Sequence, residues 1–145
     1  MGIMAVLLKA CAGERPNNLG VKAGSLAACP SSPNCVASQA DDQGHLIEPL
    51  RFDGEPGNAF ARLRQILSMR KDTTLIEGDD HYLRVEFRTR LGFVDDGEFL
   101  LDPDRRVIHL RSAARLGYSD LGKNRSRLEH IRREFAASGE RKRAC

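Results

Sequence analysis

The chain has 145 residues, a formal net charge of +3, 30% charged residues and 41% hydrophobic residues. This length fits one domain of the commonest size and is too short for two domains with separate cores. The composition is that of an ordinary globular protein, which excludes an intrinsically disordered chain and a membrane-spanning one.

The first residues carry a short apolar run, Ile3 to Leu8, followed by Cys11. This run is shorter than the core of a secretion signal, has no positive charge before it and cannot span a bilayer. The residues around Cys11 have a faint likeness to a bacterial lipoprotein cleavage site, although Lys9 fits that pattern badly. We expect a disordered leader or a start codon placed too far downstream, with lipidation of Cys11 as the alternative.

Residues 12–44 predict an extended, loop-rich arm without helix or strand, because glycine and proline interrupt any regular period there. Cys29 and Cys35 bracket a loop with two prolines, so their thiols should lie near each other. A disulfide, free thiols, and metal or redox chemistry all stay open for this pair. In an oxidising compartment a disulfide would hold a segment that has little to bury. Zinc is disfavoured because the four histidines show no matching spacing.

The first regular elements are expected after this arm. Residues 45–52 predict a strand, and residues 53–57 predict a turn that is rich in glycine and acidic residues. Asn58 is expected to cap a helix whose apolar stripe includes Phe60 and Leu63. We expect that stripe to cover a sheet.

Four strands are predicted in series after this helix, at residues 73–78, 81–90, 93–101 and 107–112. In the second of these strands apolar residues alternate with polar ones, and the alternation indicates which side is buried. On the last strand we expect Arg111 on the face opposite Ile108 and Leu110.

The last helix shows the clearest periodicity. We expect it to begin at a cap, Ser119 or Asp120, and to end at Gly139. Its predicted buried face consists of Leu121, Leu128, Ile131 and Phe135. Residues 139–145 would then form a basic tail.

Together these elements predict an α+β domain at residues 45–138, preceded by a leader and arm at residues 1–44. Its antiparallel sheet of about five strands would carry two helices on one face, in the order β-α-β-β-β-β-α. This order is also that of TATA-binding-protein-like and small helix-grip folds, which is a topological analogy. Such folds serve nucleic-acid binding, lipid binding and catalysis, so the fold does not decide the function.

The C-terminal part of the chain is basic, since residues 111–145 carry 10 Lys and Arg against 4 Asp and Glu. A basic stretch suits nucleic acid, an anionic membrane surface or an acidic protein, whereas the simplest interpretation is a solvated helix face with a frayed end. Aromatic residues that could stack on bases are scarce there, because only Tyr118 and Phe135 occur. Nucleic-acid binding is therefore not expected.

Four segments of the sequence resemble the domain-of-unknown-function family 1499 of bacterial and plastid proteins: Arg15–Gly20, Cys29–Val36, Arg90–Asp96 and Arg111–Arg125. The resemblance covers roughly residues 13–135. It implies no established activity, substrate or cofactor. It implies export or lipid anchoring in many members, and hence the periplasm or envelope, but the short leader departs from that pattern. A cytoplasmic location therefore stays open as well.

Polar residues in the last two of these segments form the candidate site. Asp95 and Asp96 are consecutive on a predicted strand and should point to opposite faces. Around the connection into the last helix we expect a corner that binds an anion or another ligand, made of Asp95, Asp96, Arg111, Ser112, Arg115, Asp120, Asn124 and Arg125. The structural alternative is a capped turn whose arginines pair with the neighbouring carboxylates. In either case we expect an Arg–Asp network in which Arg111 and Arg115 pair with Asp95, Asp96 or Asp120. We expect Arg111 and Asp95 to be coupled within that network.

No catalytic template fits the sequence, since it has no nucleophile elbow, phosphate-binding glycine loop or zinc-binding helix motif. We expect a non-enzymatic binding or interaction domain, in the bacterial envelope, that uses this corner or the open sheet face. The alternative is an enzyme acting on an anionic small molecule, with Asp95 or Asp96 as acid or base and Arg111 and Arg115 holding the anion. We expect no cofactor, metal or transmembrane segment, and an anionic ligand or a protein as partner.

Overall fold

The computed structural model describes residues 12–144 of the chain, and the predictions for the leader and for Cys11 lie outside these residues. Within this range the chain forms six strands and two helices. The strands are β1 (Cys35–Ala37), β2 (Leu50–Arg51), β3 (Thr73–Gly78), β4 (Tyr82–Arg88), β5 (Val94–Asp102) and β6 (Val107–Ala114). The helices are α1 (Pro56–Ser68) and α2 (Lys123–Ala144).

All six strands belong to one antiparallel sheet, in the order β1-β6-β5-β4-β3. The outer edge of β6 is shared, because β1 pairs with residues 111–113 and β2 pairs with residues 107–108. The α+β class and the order β-α-β-β-β-β-α from β2 onward are confirmed. The prediction that the arm contains no regular element is wrong at β1, because a strand of three residues is too short to show a periodicity.

Both helices cover one face of the sheet and share a single apolar core with it. From the helices the core includes Phe60, Leu63, Leu67, Leu128, Ile131 and Phe135, and from the sheet it includes Leu83, Val85, Phe87, Phe99, Ile108 and Leu110. Burial of each such side chain contributes roughly 1.5–3 kcal/mol. This layer is therefore the main source of stability, and it confirms that the predicted stripes of both helices face the sheet.

The first two elements begin at other residues than predicted. Helix α1 begins at Pro56, with Glu55 at the N-cap, and Asn58 lies inside it. Proline suits this position because its fixed φ is already helical and its missing N–H would have no partner there. The strand predicted at residues 45–52 is reduced to β2, because Pro49 has no N–H to donate to a ladder.

Helix α2 also differs from its predicted limits. Leu121 precedes the helix, with φ of 55° and 90% exposure, so its assignment to the buried face is wrong. Its left-handed backbone continues into Gly122 and turns the chain before Lys123. Gly139 does not end the helix, which continues to Ala144. The guanidinium of Arg62 packs so close to Gly139 that a β-carbon there would lie 2.6 Å from Nη1.

Candidate functional site

The arm covers the face of the sheet that lies opposite the helices. The backbone N–H of Gly20 donates to Oε2 of Glu98 at 2.8 Å, and Nε of Arg111 donates to the carbonyl oxygen of Ala27 at 2.8 Å. Tyr82 and Arg84 are buried on this face. The prediction that alternation in β4 marks one buried and one exposed side is therefore wrong, and the expected open sheet face is closed.

Charges of alternating sign cross this covered face in a row of four residues from adjacent strands: Glu77, Arg84, Glu98 and Arg111. Glu98 is fully buried, and its Oε1 atom lies 3.6 Å from Nη1 of Arg111 without a hydrogen-bond partner among residues 12–144. Its Oε2 atom accepts hydrogen bonds from Gly20 and from the hydroxyl of Tyr82. Burying a carboxylate is costly unless it is paired, so the row neutralises charge that the arm encloses.

Burial also shifts the pKa of Arg111 in this row and the pKa of Tyr82, which binds Glu98. Burial lowers the pKa of Arg111, against the opposing attraction of Glu98. Burial raises the pKa of Tyr82, and its hydrogen bond to Glu98 raises it further. The phenol therefore stays protonated as the donor that Glu98 requires.

Arg115 joins the sheet to the start of the arm. Its Nη2 atom lies 2.7 Å from Oε2 of Glu86 and 2.8 Å from Oδ1 of Asp96, and its Nη1 atom donates to the carbonyl oxygen of Gly13 at 3.5 Å. Arg15 binds the same Glu86 oxygen at 3.0 Å. The hydrogen bond to Asp96 raises the pKa of Arg115. Burial opposes ionisation of Glu86, but the hydrogen bonds from the two arginines outweigh it and lower its pKa.

A second polar cluster lies on the helix side of the sheet. Oδ2 of Asp95 lies 2.9 Å from Nη1 of Arg127, and the guanidinium of Arg127 also stacks over the ring of Phe87. Burial raises the pKa of Asp95 despite this partner. The hydroxyl of Ser112 donates to the side chain of Asn124, which in turn donates to Asp120 at 2.7 Å.

The predicted site residues are thus divided between the two faces. Asp96, Arg111 and Arg115 lie under the arm, whereas Asp95, Ser112, Asn124 and Asp120 lie with the helices, so the prediction that Asp95 and Asp96 point to opposite faces is confirmed. Arg125 belongs to neither network and donates to the carbonyl oxygens of Leu46 and Gly44.

The expected Arg–Asp network is present between Arg115 and Asp96. The expected pairing of Arg111 with Asp95 is wrong, because Arg111 pairs with Glu98 on the other side of the sheet. Sequence reasoning did not include Glu98, Glu86 or Tyr82 in the site. The signal was present, because Glu98 lies two residues after Asp96 and must share its face. Arg111, the ionic partner of Glu98, also binds the carbonyl oxygens of Ala27 and Ala28 in the arm.

The arm is closed by a disulfide between Cys29 and Cys35, whose Cα atoms are 5.7 Å apart. This bond was one of the alternatives left open by the sequence, and the structure contains it. Cys35 lies in β1, so the bond attaches the arm directly to the edge of the sheet. It therefore fixes the chain beside the carbonyl groups of Ala27 and Ala28 that bind Arg111.

Large apolar side chains are exposed at one end of the sheet, in the β4–β5 and β6–α2 connections. The two connections leave the sheet side by side, because Asp95 pairs with Ala114 and the N–H of Arg115 donates to the carbonyl oxygen of Val94. We call this end the loop surface, and its apolar residues are Leu91, Phe93, Leu116, Tyr118 and Leu121. Leu91 and Tyr118 are each 73% exposed.

The loop surface is also positively charged. A cleft of about 360 Å³ opens there, lined by Asp72, Arg88, Thr89, Arg90, Leu91, Lys123 and Arg127. Arg88, Arg90 and Lys123 are exposed and form no ion pair with other residues of the range 12–144. The carboxylates of Asp95 and Asp96 are buried in ion pairs. The cleft and the two connections thus carry three exposed cations, Arg88, Arg90 and Lys123, against two partly exposed carboxylates, Asp72 and Asp120.

Two other clefts lie away from this end. One, of about 310 Å³, is lined by residues that include Arg62 and Phe135, and the other, of about 410 Å³, by residues that include Phe60. Asp95, Asp96 and Arg111 line none of these three clefts.

Comparison with known families decides the identity of the chain. A family model described as a protein of unknown function (DUF1499) matches residues 25–135, which is more than half of the chain. The chain belongs to the DUF1499 family. Searches of curated proteins and of solved structures gave no match.

The DUF1499 match begins inside the arm, before the disulfide, and ends at Phe135 in α2. It contains both connections of the loop surface. The resembling segments Arg90–Asp96 and Arg111–Arg125 supply all five apolar residues of that surface. In the described part of this DUF1499 chain, neither helix is long and apolar enough to cross a bilayer.

Proposed function

We propose that this DUF1499 chain is a non-enzymatic interaction domain that contacts its partner through the loop surface. One observation carries the proposal. Eight large hydrophobic side chains are exposed among residues 12–144, and five of them lie in the two neighbouring connections. Monomeric proteins rarely group exposed apolar residues without a binding role.

The base of the loop surface supports this proposal because it is held by polar contacts within the protein. Arg115 ties the beginning of the β6–α2 connection to Asp96 and Glu86, and Asp120 accepts hydrogen bonds from the backbone N–H groups of Gly122 and Asn124. A surface that is ordered before binding loses less conformational entropy when a partner arrives. In this proposal these polar contacts support the contact surface.

The proposed location is the bacterial envelope, supported by the Cys29–Cys35 disulfide, because such bonds persist in oxidising compartments. No observation favours the alternative of an enzyme with Asp95 or Asp96 as acid or base, which stays a prediction. Ligand binding by the arginines of the predicted corner also stays a prediction, and Arg111, Arg115 and Arg125 all bond within the protein.

Photo-crosslinking in living cells tests the proposed surface. A benzophenone amino acid replaces Leu91 or Tyr118 in the full chain, and Val21, which is 40% exposed on the arm, serves as the matched control position. We expect protein or lipid adducts from positions 91 and 118 and none from position 21. The adducts should be lost when Leu116→Ser and Leu121→Ser are added. Absence of adducts at 91 and 118, or equal adducts at 21, would contradict the proposal.

A further inference from the structure

We propose that the partner of the loop surface is an anionic lipid bilayer, an inference that rests on the proposed function. The surface combines exposed apolar residues with cations that lack acidic partners among residues 12–144. Proteins that lie on membranes combine apolar burial at the acyl boundary with attraction to anionic headgroups. Each of the two components is present at the same end of the sheet.

The exposed apolar residues come from two neighbouring connections. Leu91 and Phe93 come from the β4–β5 connection, whereas Leu116, Tyr118 and Leu121 come from the neighbouring β6–α2 connection. They lie in two loops at the end of the sheet, where Leu91 is the one apolar residue that lines the described cleft, among polar and charged neighbours. Tyrosine suits the level of the headgroups, because its ring is apolar and its hydroxyl remains in contact with water.

The cations lie beside these apolar residues. Arg88, Arg90 and Lys123 line the same cleft as Leu91. A Lys or Arg near an anionic membrane surface strengthens binding by about fivefold. The carboxyl of Asp72 in this cleft is already shared by Arg70 and Arg127. Electrostatic complementarity therefore favours a bilayer with negatively charged headgroups over one with headgroups of zero net charge.

The arm also contacts the loop surface. A β-carbon on Gly13 would lie 2.9 Å from Cγ of Leu116, so the start of the arm packs against an apolar residue of the loop surface.

Tyr118→Trp gives a direct test in the full chain, because the protein has no other tryptophan. The variant is mixed with vesicles of phosphatidylcholine alone or with added phosphatidylglycerol. We expect a blue shift of emission and quenching by brominated lipid with the anionic vesicles only. Val21→Trp, on the arm, should show neither effect. Equal shifts at both positions, or no shift at position 118, would overturn the inference.

Variants that remove charge and a variant that removes an apolar side chain distinguish the electrostatic contribution to vesicle binding from the apolar one. Arg90→Gln with Lys123→Gln should weaken binding to anionic vesicles by about 25-fold, and Leu91→Ser should weaken it by about tenfold. Arg105→Gln, in the turn at the other end of β5, is the charge control and should bind like the native chain. Binding that none of the loop variants weakens would assign the affinity to another part of the chain and overturn the inference. Protein adducts from positions 91 and 118, without vesicle binding, would leave the proposed function intact and refute the bilayer as partner.

Discussion

Arg115 donates two parallel hydrogen bonds to Asp96, one from Nε to Oδ2 and one from Nη2 to Oδ1, each 2.8 Å long. Asp96 is 1% exposed, and the side chain of Arg115 is 7% exposed. A bidentate arginine–carboxylate pair combines directional geometry with opposite charge. This pair therefore fixes the end of β6 against β5, just before the β6–α2 connection departs from the sheet.

Removal of one partner of this pair should be strongly destabilising, because it leaves the other charge buried. We expect Arg115→Ala to lower the free energy of unfolding in urea by about 3–5 kcal/mol. Arg115→Lys should recover only part of the loss, since an ammonium cannot replace the planar fork. The double variant with Asp96→Ala should lose less than the sum of the single losses, by about 1–3 kcal/mol.

A matched cycle on Arg111 and Asp95 serves as the control for this coupling. These two residues lie on opposite faces of the sheet and have different ionic partners, Glu98 and Arg127. Their losses in Arg111→Ala and Asp95→Ala should add to within about 0.5 kcal/mol. Strong coupling in this second cycle would mean that the assignment of the two faces is wrong.

Gly97 has no space for a side chain on the helix side of β5. A β-carbon there would lie 2.4 Å from Cε2 of Phe87 and 2.9 Å from Cγ2 of Val85. Gly97→Ala should therefore lower the free energy of unfolding by about 1–3 kcal/mol through overpacking. Gly57→Ala, in the first turn of α1, has only a contact of 3.8 Å and should be neutral or stabilising. Thermal or urea unfolding distinguishes the two, and equal losses would contradict the packing argument.

The disulfide of the arm should contribute to stability by restricting the unfolded chain. With a sequence separation of six residues, Cys29→Ser should lower the free energy of unfolding by about 2 kcal/mol. Reductant should reduce the stability of the native chain to that of the variant and leave the variant unchanged. Thiol counting should give two fewer thiols before reduction than after it. Equal counts in protein purified without reductant would exclude the bond.

Because Asp120 caps α2 with an ionised carboxylate, the free energy of unfolding should decrease at acid pH. Burial alone would raise the pKa of Asp120, but hydrogen bonds from Asn124 and Gly122 outweigh it and lower the pKa below the ordinary value of 3.8. The ionised group therefore stabilises the folded state above pH 3.8, and this contribution is lost as the pH falls through the folded pKa. Asp120→Ala should lose about 1–2 kcal/mol at neutral pH, and less in acid.

The matched variant for this cap is Asp120→Asn, which keeps a side-chain acceptor for the helix but cannot ionise. We expect it to retain most of the capping at neutral pH. Its stability relative to Asp120→Ala should not change across the acid range in which the native carboxylate is protonated. A constant difference between the native chain and Asp120→Asn down to low pH would show that the charge of Asp120 contributes nothing.

The layer between helices and sheet could be predicted from the sequence because it follows simple periods. Leu128, Ile131 and Phe135 repeat at helical spacing, and Leu83 and Val85 alternate along a strand. Periodicity ends at positions where a local backbone conformation interrupts the element. Leu121 has the right spacing for the helix face but adopts a left-handed conformation before the helix begins.

The covered polar face could not be predicted in the same way, because polar alternation normally indicates contact with water. Tyr82 and Arg84 have that pattern and are nevertheless buried, since the arm packs over them. The partner of Arg111 also depends on the register of two strands, which pairs it with Glu98. The sequence predicted that Asp95 and Asp96 diverge because that conclusion needs no register.

The contacts that hold the arm join residues far apart in the sequence, which limits when those contacts can form during protein synthesis. Gly20 leaves the ribosome 78 residues before its partner Glu98, and Cys35 must wait for Ala113 before β1 can pair. The row of charges therefore stays hydrated until the polypeptide is nearly finished, and contacts between residues so distant in sequence form slowly. Cys29 and Cys35 need no such delay, because six positions separate them. The disulfide can close as soon as both cysteines reach an oxidising compartment, whereas the arm can cover the sheet only after β5 and β6 are present.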